Sequence, residues 1–109
     1  MTETELQAEV ERMCAARGLL YHHCARAVRC IGTPGLPDLI IAGKHGVIFA
    51  ELKSDDGETS AGQDEWLWTL RQVVGLLASE YCGGIVMAEI WRPCDAASGY
   101  IATQLEAIR

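Results

Sequence analysis

What this 109-residue sequence has least of is positive charge, cysteine pairs at metal-knuckle spacing and long apolar stretches. Nine Lys and Arg stand against fifteen Asp and Glu, a formal net charge of −6, which excludes a generic polycation that tracks phosphates with its whole surface. Any nucleic-acid contact must be local. The cysteines Cys14, Cys24, Cys30, Cys82 and Cys94 are odd in number and none belongs to a C-x-x-C pair, which argues against a disulfide framework and a zinc knuckle. A reducing cytosol fits this usage best. No apolar run approaches the roughly 20 residues that span a bilayer. The first residues are glutamate-rich rather than basic and then apolar, so a soluble cytoplasmic protein is expected. Neither an internal repeat nor a low-complexity linker is present, and the length accommodates one domain, residues 1–109.

What is present is a hydrophobic half with clear periodicity. Leu6, Val10, Met13 and Cys14 recur at helical spacing within residues 3 to 17, an amphipathic helix that Gly18 should end. Leu19 to His23 reads as a short strand. Asp38 to Ala42 and Val47 to Lys53 are apolar runs joined by Gly43-Lys44-His45-Gly46, a hairpin with a glycine-containing turn. Ser60 is placed to cap a helix running to about Leu77, with Trp66, Leu67, Leu70, Val73, Val74 and Leu77 on its apolar stripe. Ile85 to Trp91 is a further strand, and a last helix starting at Asp95 or Ser98 carries Ile101, Leu105 and Ile108. The sum is a single α/β layer.

The informative residues are polar ones on faces this pattern predicts to be buried, because burying a charge costs several kcal/mol unless it is paired. At about 100° per residue, Glu3 and Gln7 fall inside the apolar stripe of the first helix, whereas Glu5, Glu9 and Glu11 point away. Gln63 falls near the centre of the face defined by Trp66, Leu70 and Leu77. Strand alternation puts Val47, Phe49, Glu51 and Lys53 on one face, so Glu51 and Lys53 sit side by side. The hairpin can bring Asp38 close to Glu51. Two carboxylates, a third from a helix and an adjacent lysine form an oxygen-rich cluster suited to a hard cation such as Mg²⁺ or Mn²⁺. Such an ion activates water and stabilises charge on a phosphodiester. An isolated E-x-K is more often a solvated strand face; it is the combination that carries weight.

Gly35-Leu36-Pro37-Asp38, Glu51-Leu52-Lys53 thirteen residues on, and then Gly57, Ser60 and Gln63 resemble the PD-(D/E)XK nuclease superfamily. The Glu3 to Gln7 spacing, Ser-x-x-Gln at 60 to 63 followed by Trp66-Leu67, and Trp91-Arg92-Pro93 narrow the resemblance to the VRR-NUC family, over nearly the whole chain. That resemblance implies a restriction-endonuclease-like α/β core, a small mixed β-sheet flanked by helices in an αβββαβ-type order. It implies Asp38 and Glu51 as metal ligands together with the backbone carbonyl of Leu52. It gives Lys53 the role of orienting or helping to deprotonate the attacking water. Glu3 would complete the acidic site, with Glu5 as its fallback. Gln7 and Gln63 would line the site, and Pro37 would set the chain ahead of Asp38. The acidic segment Asp55-Asp56-Gly57-Glu58 departs from what a DNA-facing surface wants, unless it is a solvated turn.

The activity implied is Mg²⁺- or Mn²⁺-dependent hydrolysis of a DNA phosphodiester. A homodimeric, structure-selective endonuclease acting on branched DNA, a Holliday junction resolvase, is the first expectation. A monomeric flap or repair nuclease with a helicase partner and a catalytically silent DNA-binding module are the alternatives. Arg26, Arg29 and Lys44 are the candidate phosphate contacts. His22, His23, Cys24 and Cys30 match no common zinc spacing, and His22 is the histidine expected to approach the site. Trp66 and Trp91 are expected in the core, Trp68 off the apolar stripe at an interface, and Cys82 and Cys94 as buried small hydrophobes.

Overall fold

The computed structural model describes residues 1–23, 31–80 and 84–109, with side chains given outside 73–80. Helix α1 (Glu3–Ala16) starts at Thr2, whose hydroxyl accepts from the Glu5 amide at 3.1 Å while the Glu5 carboxylate accepts from the Thr2 amide at 3.0 Å, a capping box. It ends as expected at Gly18. That residue has φ +67°, and the amides of Gly18 and Leu19 bond back to the Ala15 and Cys14 carbonyls, a Schellman motif. Leu6, Val10, Met13 and Cys14 are all buried.

Strands β1 (Leu20–His23), β2 (Leu39–Gly43), β3 (Gly46–Leu52) and β4 (Ile85–Trp91) form one sheet in chain order. The first two pairings are antiparallel and β3 with β4 is parallel, so the connection between them is the long one and contains helix α2 (Ala61–Glu80). The expected hairpin is present, with Ala42 opposite Val47 and the turn at Lys44 and His45. A Cβ on Gly43 would land on the Ile108 carbonyl, and His45 bonds through its amide to that same carbonyl at 3.0 Å. The hairpin tip therefore closes over the chain's last helix.

That last helix is in fact two. Helix α3 (Pro93–Ala97) begins with proline at its first position, Gly99 turns the chain at φ +85°, and helix α4 (Tyr100–Ile108) follows. Helices α1 and α4 cover one sheet face. Ile48, Ala50 and Leu52 of β3 meet Leu6, Val10, Ile101, Leu105 and Ile108 there, with Trp91 fully buried among them. Trp91 donates its indole N–H to Gln104 at 2.6 Å, and Gln104 in turn donates to Glu89 at 2.9 Å, so the polar tip of this core tryptophan is satisfied. The intervening β3 residues, Phe49 and Glu51, face the opposite side, where α2 packs against the sheet. Trp68 is 65% exposed, as its position off the stripe requires. Cys94, expected to be buried, is instead exposed because α3 is short and lies at the surface; Cys82 lies outside the described residues. Among the described residues, no helix is long and apolar enough to cross a membrane.

Candidate active site

The site is assembled where β2 begins and β3 ends. Leu39 pairs with Ala50, so Asp38, one residue before, and Glu51, one residue after, are brought beside each other. Asp38 accepts a hydrogen bond from the Leu52 amide at 2.9 Å, which fixes its carboxylate at the end of β3. In regular strand geometry the N–H and C=O of a residue share an edge, which is the edge of β3 that the Leu52 amide presents to Asp38. Pro37 is buried and sets the chain's entry into β2.

The segment leading into Asp38 is held by a backbone crossing. Gly35 has φ +101°, and a Cβ there would collide with the carbonyl of Gly62 and come within 2.6 Å of the Gln63 amide nitrogen. Gly62 is close-packed too, though less severely, since its Cβ would sit 3.0 Å from the Pro34 carbonyl oxygen. Trp66 completes the clasp by donating its indole N–H to the Thr33 carbonyl at 3.0 Å. Trp66 is thus a half-buried strut between loop and helix, not the core residue its place on the stripe predicts. The first turn of α2 and the approach to Asp38 are consequently one unit.

Glu51 is 1% exposed, the reverse of a solvated strand face. Its Oε1 accepts from the Gln63 carboxamide at 2.6 Å and lies 3.7 Å from Lys53 Nζ, while its Oε2 has no hydrogen-bond partner. Burial, and next the charge of Asp38, push its pKa up to about 8, with Lys53 opposing. Gln63 serves two structures with one side chain. Its carboxamide oxygen accepts from the Ser60 amide at 2.8 Å, its own amide bonds the Ser60 hydroxyl at 3.2 Å, and its NH₂ reaches Glu51. The expected cap at Ser60 is therefore a capping box whose closing residue also holds the buried carboxylate. The Lys53 backbone amide bonds the Trp91 carbonyl at 3.0 Å, keeping the start of its side chain on the sheet.

Asp38, Glu51, Leu52, Lys53 and Gln63 are thus brought together. Among the described residues, Glu3, Gln7 and Lys44 are not. Glu3 is exposed at the first turn of α1, which covers the sheet face opposite Glu51. Among the described residues, no three His, Cys, Asp or Glu side chains converge as a metal-holding group. Helical phase put Glu3 on the buried stripe, but a stripe is buried only as far as the layer beneath it extends. Glu5 is committed to the capping box, which lowers its pKa through the Thr2 amide. Gln7 donates to Glu11 at 3.0 Å. Lys44 is exposed at the hairpin tip, six residues and on the order of 20 Å of strand from Asp38. Arg26 and Arg29 lie outside the described residues, as do Cys24 and Cys30.

Two residues were missed. His23, not His22, meets the site's backbone, its Nδ1 lying 3.1 Å from the Asp38 carbonyl oxygen. The β1 register, which sets His23 opposite Leu39, is the signal, and it becomes readable only once the pairing is known. The other is Arg92, which bonds the turn that follows Lys53.

No protein-family model and no curated protein sequence matches the chain. A solved structure described as a "VRR_NUC domain protein" superposes with a TM-score of 0.57 at 24% identity, covering 98% of this chain and 90% of that one. The four-stranded mixed sheet with helices on both faces is the architecture expected of a restriction-endonuclease-like core. Over nearly its whole length, this chain has the fold of a VRR-NUC domain.

Proposed function

We propose that this protein is a metal-dependent DNA nuclease that hydrolyses phosphodiesters at the Asp38–Glu51–Lys53 cluster. The observation that carries this reading is Glu51 Oε2, a buried carboxylate oxygen without a partner, on a side chain whose charge is opposed by burial and by Asp38. Folded proteins rarely leave such an atom unsatisfied. A divalent cation supplies what is missing, and the donor set of two carboxylates and a strand carbonyl is the hard-oxygen kind that Mg²⁺ or Mn²⁺ prefers. Asp38, Glu51 and the Leu52 carbonyl would hold it. When bound, the ion neutralises the carboxylate pair and provides Lewis-acid stabilisation for charge developing on phosphate.

The remaining roles belong to the chain. Lys53, 3.7 Å from Glu51, carries the one ammonium at the cluster, placed to orient a water and to take up negative charge. Gln63 fixes the Glu51 carboxylate without adding charge. His23 and the Gly35–Gly62 crossing hold Asp38 through its backbone.

Within this reading the substrate is branched DNA and the working form a homodimer, whose paired active sites suit paired nicks on a four-way junction. The similarity in fold to a VRR-NUC domain protein and the small size of the domain support it. Both described free cysteines fit a reducing cytosol. The test incubates the protein with labelled four-way junction, 5′ flap, splayed-arm and linear duplex DNA in Mg²⁺, Mn²⁺ or EDTA, beside Lys53→Ala. Metal-dependent paired nicks on the junction, lost in the variant, are expected. Flap cutting alone would select the repair nuclease, and no cleavage by folded protein would reject the enzyme in favour of a binding module.

A further inference from the structure

A lysine side chain carries much rotamer entropy, so holding it in one place beside a buried carboxylate has a cost. At Lys53 the chain leaves the sheet, and the next residues, Ser54 to Gly57, form a tight turn closed by the Gly57 amide on the Ser54 carbonyl at 3.2 Å. This turn passes beside the lysine stem: a Cβ added to Gly57 would lie 3.6 Å from Lys53 Cδ and 2.9 Å from Ser54 Oγ. Within itself the turn has only that backbone bond and one from the Ser54 hydroxyl to exposed Asp56 at 3.3 Å, and no core residue comes from it.

Its anchor comes from 35 to 38 residues away. One guanidinium nitrogen of Arg92, Nη1, donates to the carbonyls of Ser54 at 2.6 Å and Gly57 at 2.7 Å, with that of Asp55 at 3.5 Å. Arg92 is itself rigidly based. It follows the last pair of the β3–β4 ladder, its amide bonds Asp95 at 2.8 Å, and buried Pro93 starts α3 beside it. A cation thus sits against converging carbonyls in the turn joining Lys53 to the Ser60–Gln63 cap.

We infer that Arg92 is a positioning residue: it pins the Ser54–Gly57 turn and thereby keeps Lys53 against Glu51. The inference rests on the nuclease reading of Lys53, and its effect on chemistry would be indirect. It also accounts for the acidic turn, whose carbonyls need a fixed cation and whose carboxylates stay in solvent.

The sequence supplies an internal control, because Lys44 and Lys53 are its only lysines and Lys44 is exposed at the far hairpin tip. Competitive acetylation read by mass spectrometry, on wild type, Arg92→Ala and Arg92→Lys, reports the Lys53 to Lys44 labelling ratio without any need for activity. Arg92→Ala should raise that ratio about threefold as the turn opens, and Arg92→Lys should bring it part of the way back, since all three bonds come from one nitrogen and lysine keeps a cationic donor, one bond shorter, on a similar stem. In cleavage assays Arg92→Ala should lower kcat about tenfold with KM little changed, and Arg92→Lys should recover part of it. An unchanged labelling ratio in folded Arg92→Ala would overturn the inference. So would a rise in KM at constant kcat, which would mark a DNA contact instead. If wild type cuts no DNA, the nuclease reading fails and the labelling ratio alone decides the role of Arg92. Should Arg92→Ala not fold by circular dichroism, Arg92→Gln against Arg92→Lys makes the same comparison.

Discussion

Replacing Glu51 with glutamine should make the metal-free protein more stable, and increasingly so as the pH rises. In the fold this carboxyl has a pKa near 8, raised by burial and by Asp38, against 4.5 for the ordinary group. An acid with a raised folded pKa contributes its stability below the unfolded value and loses it as pH climbs toward the folded one. From pH 4.5 to 7 the unfolded chain gains from ionising Glu51 while the folded chain does not, about 1.4 kcal/mol per pH unit, or roughly 3 kcal/mol in all. For a domain of this size that is on the order of 10 °C in Tm. Glutamine never ionises, and its carbonyl can still accept from Gln63. The assay is urea or thermal unfolding of both proteins in EDTA from pH 4.5 to 8. The stability difference should widen in favour of Glu51→Gln by roughly 3 kcal/mol by pH 7 and flatten above about 8. A difference that is flat in pH, or that moves against the variant, would refute the account of Glu51 as a group whose charge the metal-free fold resists.

Mg²⁺ or Mn²⁺ should narrow that difference. Millimolar ion at pH 7.5 is expected to raise the Tm of wild type through mass action and leave Glu51→Gln nearly unmoved, measured by calorimetry. Gln63→Leu removes both the capping acceptor and the donor to Glu51, and should cost about 2 kcal/mol in urea unfolding while lowering cleavage. Gly35→Ala and Gly99→Ala both place alanine at positive φ, but only the first meets backbone. It should cost at least about 2 kcal/mol more than the second, and similar losses would mean the crossing is loose. Gln104→Leu strands the buried Trp91 indole N–H, and should destabilise by about 1–3 kcal/mol with no change in divalent-ion binding.

The carboxylate cluster was legible because strand alternation and hairpin register are local rules. Glu51 and Lys53 lie two residues apart, and the Gly43–Gly46 turn dictates that Asp38 returns to their level. Gln63 was legible as an inward polar residue on an apolar face. Its second duty, closing the Ser60 capping box, follows from its spacing from Ser60, and its bond to Glu51 does not. Glu3 shows where periodicity stops informing. A helical phase assigns a face, whereas burial also needs a neighbour, and the first turn of α1 has none over Glu3. The split between α3 and α4 was only hinted at by Gly99, because Pro93 is a helix starter as readily as a strand terminator. Arg92 and His23 act through main-chain carbonyls, a partnership that leaves no trace in residue type. Trp66 carried the right chemistry on its stripe, but its partner is a loop carbonyl thirty-three residues earlier.

The crossing of Gly35 over Gly62 has a consequence for redesign. The two segments meet main chain to main chain, so the position of Asp38 relative to α2 depends little on the side chains displayed between them. Ile31, Thr33, Pro34 and Leu36 are all exposed, and of these only the carbonyls of Thr33 and Pro34 take part in the crossing. The stretch from 31 to 36 is thus a display surface mounted on a fixed joint. Its outward residues can be exchanged in a library, at constant length and with both glycines kept, while the carboxylates beneath hold their places.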